Sequence, residues 1–362
     1  MKILHVINSL DLKSGGPPRS LIPIANYQSK FADVTVISNN NNDLKKKYFE
    51  LCNISFVIKK YSFPNLKSLI RLYVEIRKNE FIHIHNWWNF VSTFALIFSS
   101  ILKKKIVLTP HGSLHDFNIK KSKLKKLFHY NLIDCFFINN INAIHYLTTN
   151  EKNNCFFLKK IKFKSAIIPN SISLNKKLIK PLKSNIKYFL YLGRLSQNKN
   201  IDFMIKCIRE LKSKINYNFE FIIIGPDYGI KKNLLKLINE LKLERNIKII
   251  DPIYNDKRLS YLKGSEALFL ASDYECNSIV VAEALALGTS IISTHECNTK
   301  DISDFGACIT TSRNIKSFVK AIINLDDVKF KKMLQLKALE YSNLYLNINK
   351  NIKKLNDLYL SL

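Results

Sequence analysis

Thirteen short apolar runs, separated by longer stretches of helical period, constrain this chain more than any other feature. In the first half they are Ile3–Ile7, Val34–Ser38, Ser55–Ile58, Phe81–His85, Ile106–Thr109, Ala143–Thr148 and Ala166–Ile168. In the second half they are Tyr188–Leu192, Phe219–Ile224, Ile247–Ile250, Ala267–Ala271, Ser290–Ser293 and Ala307–Thr310. Several are continuous rather than alternating, as expected for parallel strands buried on both faces. Segments such as Pro18–Lys30, Leu66–Lys78 and Lys120–Leu132 carry helical spacing between them. Strand–helix alternation in both halves predicts two open α/β domains with parallel sheets. The length of 362 residues fits two domains and exceeds one. The Lys-rich stretch Leu174–Asn185 lacks clear period and follows Pro169-Asn-Ser-Ile, so the break is expected there.

Composition narrows the partners. With 47% hydrophobic residues the chain can bury two cores, which excludes disorder. Lys and Arg number 57 against 28 Asp and Glu, and a net charge of +29 predicts an anionic partner. Seven cysteines are scattered singly from Cys52 to Cys308 without a C-x-x-C pair, so no zinc cage or redox motif is present. Such a pattern suits reduced thiols in a cytosol. The apolar run from Phe90 to Leu102 is interrupted by Ser92, Ser99 and Ser100 and stops at Lys103. It falls short of the roughly 20 residues a membrane span needs. The start, Met1 to Ile7, is too short and His-interrupted for a secretory segment. A cytoplasmic protein, at most peripheral to a membrane, is expected.

Four loops after predicted strands carry candidate chemistry. In Ala267–Gly288, Glu275 falls in the loop and Glu283 on the following helix, which ends at a C′ glycine, Gly288. Two carboxylates at the carboxyl ends of parallel strands suit a hydroxyl-rich ligand, and the helix amides beside them suit a phosphate. A strand-to-helix connection with solvated acids is the bland alternative. In Leu190–Asn200, Arg194 and Lys199 flank a helix start and can clamp a diphosphate, although surface cations abound in this chain. Gly15-Gly16, after the first strand, permits close backbone approach, as an ordinary βα loop also would. His111, in Thr109-Pro-His-Gly-Ser113, leaves another strand at the same edge; an isolated histidine is more often structural. His83 and His85 share a strand face, and hydrogen bonding is preferred to a metal there. The chain has no D-x-D, which counts against a divalent ion held by paired aspartates on a diphosphate.

Taken in order, these residues resemble the retaining GT-B glycosyltransferases with an E-x7-E motif, the glycosyl transferases group 1 or family 4. The likeness rests on Gly15-Gly16, Pro110-His111-Gly112, Pro169-Asn-Ser-Ile172, Gly193-Arg194…Lys199, Ile224-Gly225 and Glu275…Glu283-Ala-Leu…Gly288, and it covers most of the chain. It implies two Rossmann-like domains with parallel sheets facing a cleft. Residues 1–178 would form an acceptor domain, joined by a C-terminal helix at about 340–362, and 185–339 a nucleotide-sugar domain. It further implies metal-independent sugar transfer without a cofactor, the nucleotide-sugar being substrate. Arg194 and Lys199 would neutralise the donor diphosphate, Glu283 would hold the ribose, and Glu275 would contact the sugar. His111 would lie near the anomeric carbon, with Gly15 and Gly16 near phosphate or acceptor. Cys276-Asn277-Ser278 stands where the family often has Asn-Phe-Gly or Gly-Phe-Gly; its amides would still face the sugar, and the donor sugar stays open.

The resemblance also implies a glycan or lipid-linked acceptor in a bacterial surface polysaccharide pathway. A nucleic-acid-binding protein is the alternative that the charge suggests, but no nucleic-acid module is recognisable and no such partner is expected. A same-fold nucleotide-sugar epimerase is the other alternative; a phosphorylase would need a pyridoxal lysine that is not recognisable. The segment Ile119–Leu132 carries Lys120, Lys121, Lys123, Lys125 and Lys126, with Leu124, Leu127 and Phe128 on one helical face. Such a helix can lie on an anionic inner-membrane surface or pack on its own domain.

Overall fold

The apolar runs become strands. A computed structural model describes residues 1–12, 15–38, 53–56, 66–158 and 163–362. Cys52 and the last two residues of Ser55–Ile58 lie outside the described residues. Strands β1 (Lys2–Ile7), β2 (Asp33–Ser38), β3 (Asn53–Phe56), β4 (Phe81–His85), β5 (Lys105–Thr109), β6 (Ala143–Tyr146) and β7 (Lys164–Ile167) form a parallel sheet. Their order is β3-β2-β1-β4-β5-β6-β7. A second parallel sheet contains β8 (Lys187–Leu192), β9 (Phe219–Ile224), β10 (Ile247–Ile250), β11 (Ala267–Leu270), β12 (Ile291–Thr294) and β13 (Ile309–Thr311). Its order is β10-β9-β8-β11-β12-β13. Each order reverses once, between β1 and β4 and between β8 and β11. Open α/β sheets bind ligands beyond the carboxyl ends of their strands at such a reversal.

Each sheet is covered on both faces, which explains the continuous apolar runs. One face of the first sheet buries Leu4, Val6, Ile82, Ile84 and Leu108 against helices Leu66–Lys78 and Phe90–Ile101. The other buries Ile3, Ile7, Phe81 and Val107 against helices Gly16–Gln28 and Ile348–Leu360. The second sheet is sandwiched likewise, with Phe189, Phe221 and Phe269 on one face and Tyr188, Leu190 and Leu268 on the other. At roughly 1.5–3 kcal/mol per fully buried large side chain, these layers hold the sheets together.

The chain divides into Met1–Ser171 with Asn347–Leu362, and Ile172–Leu346. The Lys-rich stretch taken as a break therefore lies inside the second unit. Leu182 donates its N–H to the Ser260 carbonyl, and Lys263 reaches the Ile179 carbonyl, so this stretch is tied to helix Lys257–Gly264. Likewise helix Val328–Tyr345 stays with the second unit, and only the helix after it returns to the first.

Lys120–Leu132 is not one helix. Ser122 takes a left-handed conformation, φ 65°, between short helices Asp116–Lys120 and Lys123–His129. A π-turn then follows at Tyr130–Asp134. The changed phase turns Leu127 onto the core and points the Lys126 ammonium at the Asn118 carbonyl. The face expected of Leu124, Leu127 and Phe128 is therefore replaced by another: Leu124, Phe128, Leu132 and Phe136 are 82%, 69%, 58% and 70% exposed.

Candidate active site

In the second unit the loops after β8 and β11 are laced together at the sheet reversal. Gly225, directly after β9, lets the loop after β8 come close: a Cβ there would sit 1.7 Å from the Gly193 carbonyl oxygen. Arg194 follows Gly193, exposed, its guanidinium 5.5 Å from the Tyr228 ring centroid. It makes no ion pair among the described residues. Lys199 ends a short turn, Gln197–Lys199, and its ammonium pairs with Glu275 Oε1. Ser272 donates to the same oxygen at 2.7 Å. Oε2 of Glu275 has no hydrogen-bond partner among the described residues, so it is open to a ligand hydroxyl. Asn200, in a left-handed conformation, donates to the Ala271 carbonyl and to Asp273 Oδ1, both at 2.8 Å. Arg313 Nη1 adds a 2.5 Å bond to Asp273. These bonds fix the loop that carries Glu275.

Glu283 sits on helix Ile279–Leu287, 4% exposed, and forms a two-pronged pair with Arg258 of helix Lys257–Gly264. Burial works against the Arg258 charge, but the charge and hydrogen bonds of Glu283 outweigh it and hold the guanidinium above its ordinary value. The two carboxylates thus have different immediate partners, a lysine for Glu275 and a buried arginine for Glu283. Between them Cys276, Asn277 and Ser278 are half-buried. The Cys276 carbonyl accepts from Asn298 Nδ2 at 2.8 Å. Ser278 is the N-cap of the helix and makes no side-chain capping bond. Gly288 closes the helix with φ 68°. Cys297, buried beside this loop, has its thiol pushed up to about 12 by burial and by Glu275.

In the first unit, Gly15 takes φ 110°, open only to glycine at little cost, and precedes helix Gly16–Gln28. Pro17 and Pro18 occupy that helix's first turn, so Gly16 supplies the only N–H of its first three residues. His111 takes φ 50° and Gly112 φ 76°, a strained turn just beyond β5. The buried Glu151 carboxylate holds it by accepting from the Gly112 and Leu147 N–H groups, at 2.5 and 2.8 Å.

Behind His111 a polar stripe crosses the sheet on the face toward helices Gly16–Gln28 and Ile348–Leu360. His5 of β1 stands in register with His83 of β4, and His85 with Thr109 of β5. His111 Nε2 meets His85 Nδ1 at 3.1 Å, His85 Nε2 meets His5 Nδ1 at 2.9 Å, and His5 Nε2 meets Gln28 Oε1 at 2.8 Å. A second series runs from the Tyr359 hydroxyl to His83 Nδ1 at 2.6 Å and from His83 Nε2 to Thr109 Oγ1 at 2.7 Å. It continues from Thr109 Oγ1 to His145 Nδ1 at 2.9 Å and from His145 Nε2 to the Ile168 carbonyl at 2.8 Å. Burial lowers His5 and His145 to about 4, the Gln28 and Ile168 bonds opposing it, and drives His83 and His85 well down. His111 is lowered too, by burial and then by His145. His5, His83 and His85 offer nitrogens within 4.8 Å of one another, a cluster that could hold a metal, but all six of their ring nitrogens already have protein partners.

The sequence reading names His111, Arg194, Lys199 and both glutamates as candidates. It misses Arg258, Arg313, Glu151, Gln28 and Tyr359. The histidines inside the apolar runs of β1, β4 and β6 were the available signal for the stripe. No local pattern marks Arg258, which meets Glu283 only through the fold.

Residues 175–338 match the family model for glycosyl transferases group 1. Over the whole chain the protein is 26% identical to the capsular polysaccharide biosynthesis glycosyltransferase CapH of Staphylococcus aureus, covering 99% of that protein. It is 23% identical, again over its whole length, to the Escherichia coli UDP-Gal:alpha-D-GlcNAc-diphosphoundecaprenol alpha-1,3-galactosyltransferase, covering 97% of it. Among solved structures, Anabaena HepE in complex with UDP and glucose superimposes with a TM-score of 0.80 at 16% identity, each chain fully covered. The two parallel α/β units have the GT-B fold, residues 175–338 match the glycosyl transferases group 1 model, and over its whole length the chain is similar to bacterial glycosyltransferases.

Proposed function

We propose that the enzyme moves a sugar from a UDP-sugar to a lipid-linked glycan in the assembly of a bacterial surface polysaccharide, such as lipopolysaccharide, O-antigen, capsule or exopolysaccharide. The transfer retains anomeric configuration and needs no metal. The observation that carries this reading is the grouping of Arg194, Lys199 and Glu275 at the reversal of the second sheet. The similarity to a capsule enzyme, to a transferase acting on a diphosphoundecaprenol acceptor and to a UDP-binding fold supports it.

Arg194, which makes no ion pair among the described residues, meets the diphosphate. Lys199 holds Glu275 with one N–H and keeps two more for phosphate oxygens. As the bond from the anomeric carbon to the diphosphate breaks, its electron pair leaves with the phosphate, and these fixed cations stabilise the charge that develops there. The acceptor hydroxyl attacks from the same face, forms the new carbon–oxygen bond and passes its proton to the departing phosphate oxygen. Glu275 Oε2 accepts from a hydroxyl of the sugar. Glu283, oriented by Arg258, takes the ribose hydroxyls, and the amides around Cys276, Asn277 and Ser278 face the donor. Gly15 and Gly16 give the acceptor or phosphate close backbone approach, and His111 faces the sugar.

The enzyme works at the cytoplasmic face of the membrane. The exposed residues Leu124, Phe128, Leu132 and Phe136, four apart, enter the lipid, while the exposed Lys120, Lys121, Lys123 and Lys125 meet anionic headgroups. Among the described residues no helix is long and apolar enough to cross a membrane.

The test is turnover of a panel of UDP-sugars with an undecaprenyl-diphosphate-linked sugar as acceptor, in EDTA. A new α-linked product from an α-linked donor is expected. Free UDP with an altered sugar and no acceptor requirement would mean an epimerase, and strict dependence on Mn²⁺ or Mg²⁺ would overturn the metal-free clamp.

A further inference from the structure

The protons of the histidine stripe can be placed one at a time, starting from a group that can only accept. The Ile168 carbonyl accepts from His145 Nε2–H, which leaves His145 Nδ1 as an acceptor. Thr109 must then donate its hydroxyl proton to His145 and accept from His83 Nε2–H. His83 Nδ1, now an acceptor, takes the Tyr359 hydroxyl proton. In the other series, Gln28 Nε2 donates to Asn356 Oδ1 at 3.2 Å. This contact orients the amide with its NH₂ group toward the C-terminal helix and its oxygen toward His5. His5 therefore carries its proton on Nε2 and accepts on Nδ1 from His85 Nε2–H. His85 in turn accepts on Nδ1 from His111 Nε2–H.

We propose that the one-directional chain that runs from Gln28 through His5 and His85 sets the tautomer of His111. His111 is delivered neutral, Nε2–H held inside and Nδ1 left as an acceptor. Nδ1 has no hydrogen-bond partner among the described residues, so the group it recognises is a donor: a hydroxyl, not a phosphate or carboxylate oxygen. His85, His5 and Gln28 act through His111 as positioning residues. The burial that keeps all five imidazoles neutral is consistent with this order, and a single orientation lets each bond polarise the next. The functional part rests on the reading that His111 faces the transferred sugar; the tautomer does not.

Nitrogen-15 NMR of the full-length, ligand-free enzyme labelled at histidine tests the chain directly. The His111 signals, assigned by their loss in His111→Gln, should show a protonated Nε2 and a bare Nδ1 at pH 7. A protonated Nδ1, or an imidazolium, would overturn the proposal. Gln28→Leu, which cuts the chain at a buried site of similar volume, should give His111 a mixture of tautomers, and Gln28→Glu, which keeps the acceptor, should restore the single one. An unchanged His111 in Gln28→Leu would show that the chain does not set it. In transfer assays Gln28→Leu should lower kcat about three- to tenfold with KM for the donor nearly constant, the effect of one lost hydrogen bond. The expected tautomers with unaltered turnover would leave the chain standing and remove His111 from the sugar site.

Discussion

At the reversal in the first sheet the polar groups are imidazoles held neutral by burial; at the reversal in the second they are ion pairs, of which Arg258–Glu283 is buried. The topology is the same: a parallel sheet whose order turns back once, with a strand-end loop on either side. Seven of the eight histidines lie in the first unit, and the remaining one, His295, is exposed. Lys199–Glu275, Arg258–Glu283 and Arg313–Asp273 all lie in the second. One scaffold has thus been fitted with an edge that offers hydrogen bonds without charge and an edge that offers fixed charge. The latter suits a diphosphate that leaves with two negative oxygens; the former suits hydroxyls.

The sharpest way to break this contrast is to unpair the buried charge. Glu283→Ala leaves the Arg258 guanidinium buried without its partner, and urea unfolding should record a loss of about 3–5 kcal/mol. Arg258→Met with Glu283→Leu, which removes both charges, should recover most of it. A single variant as stable as the wild type would mean that Glu283 is not held as described.

Acid should act on the other unit. His5 and His145 are lowered from 6.5 to about 4, so the unfolded chain takes up their protons first as the pH falls. Their contribution is complete above about 6.5 and is lost on the way down to about 4. The two together remove about 3 kcal/mol per pH unit inside that window. Hydrogen exchange at pH 5 should therefore lose protection in β1, β4 and β6 before the second sheet. Equal loss in both sheets would remove the distinction.

The smallest effect expected is at the surface of the first unit. Phe128→Ser with Leu132→Ser alters exposed residues and should change stability by less than about 0.5 kcal/mol each. Co-sedimentation with anionic vesicles at low salt should nevertheless fall clearly, since each neighbouring lysine adds only about 1 kcal/mol without an apolar anchor. Equal binding to neutral vesicles by the unaltered enzyme, or none to anionic ones, would contradict the membrane reading.

The sequence was most legible where one element decides the outcome. Continuous runs such as Ala267–Ala271 read as strands buried on both faces, and Gly288 reads as the end of a helix before an apolar strand. It was least legible where partners come from distant segments. Arg258 and Glu283 are joined by tertiary packing of two helices. His5 finds Gln28 and His85 across neighbouring elements, although a histidine within each apolar strand hinted that something polar was buried. The Ile119–Leu132 segment misled because periodicity assumes an unbroken helix. The left-handed Ser122 and the π-turn after His129 shift its phase and send Leu127 and Lys126 inward.

The central claim is that the charged edge of the second sheet, and not the neutral edge of the first, binds the nucleotide diphosphate, and does so without a metal. Titration calorimetry with UDP in EDTA tests it most directly. The wild-type enzyme and His111→Ala should bind alike, while Arg194→Ala and Lys199→Ala each weaken binding about tenfold or more, the loss of a charge-assisted contact of roughly 1.5–3 kcal/mol. No binding by the wild type until a divalent ion is added, or weakening in His111→Ala with Arg194→Ala unaffected, would contradict it.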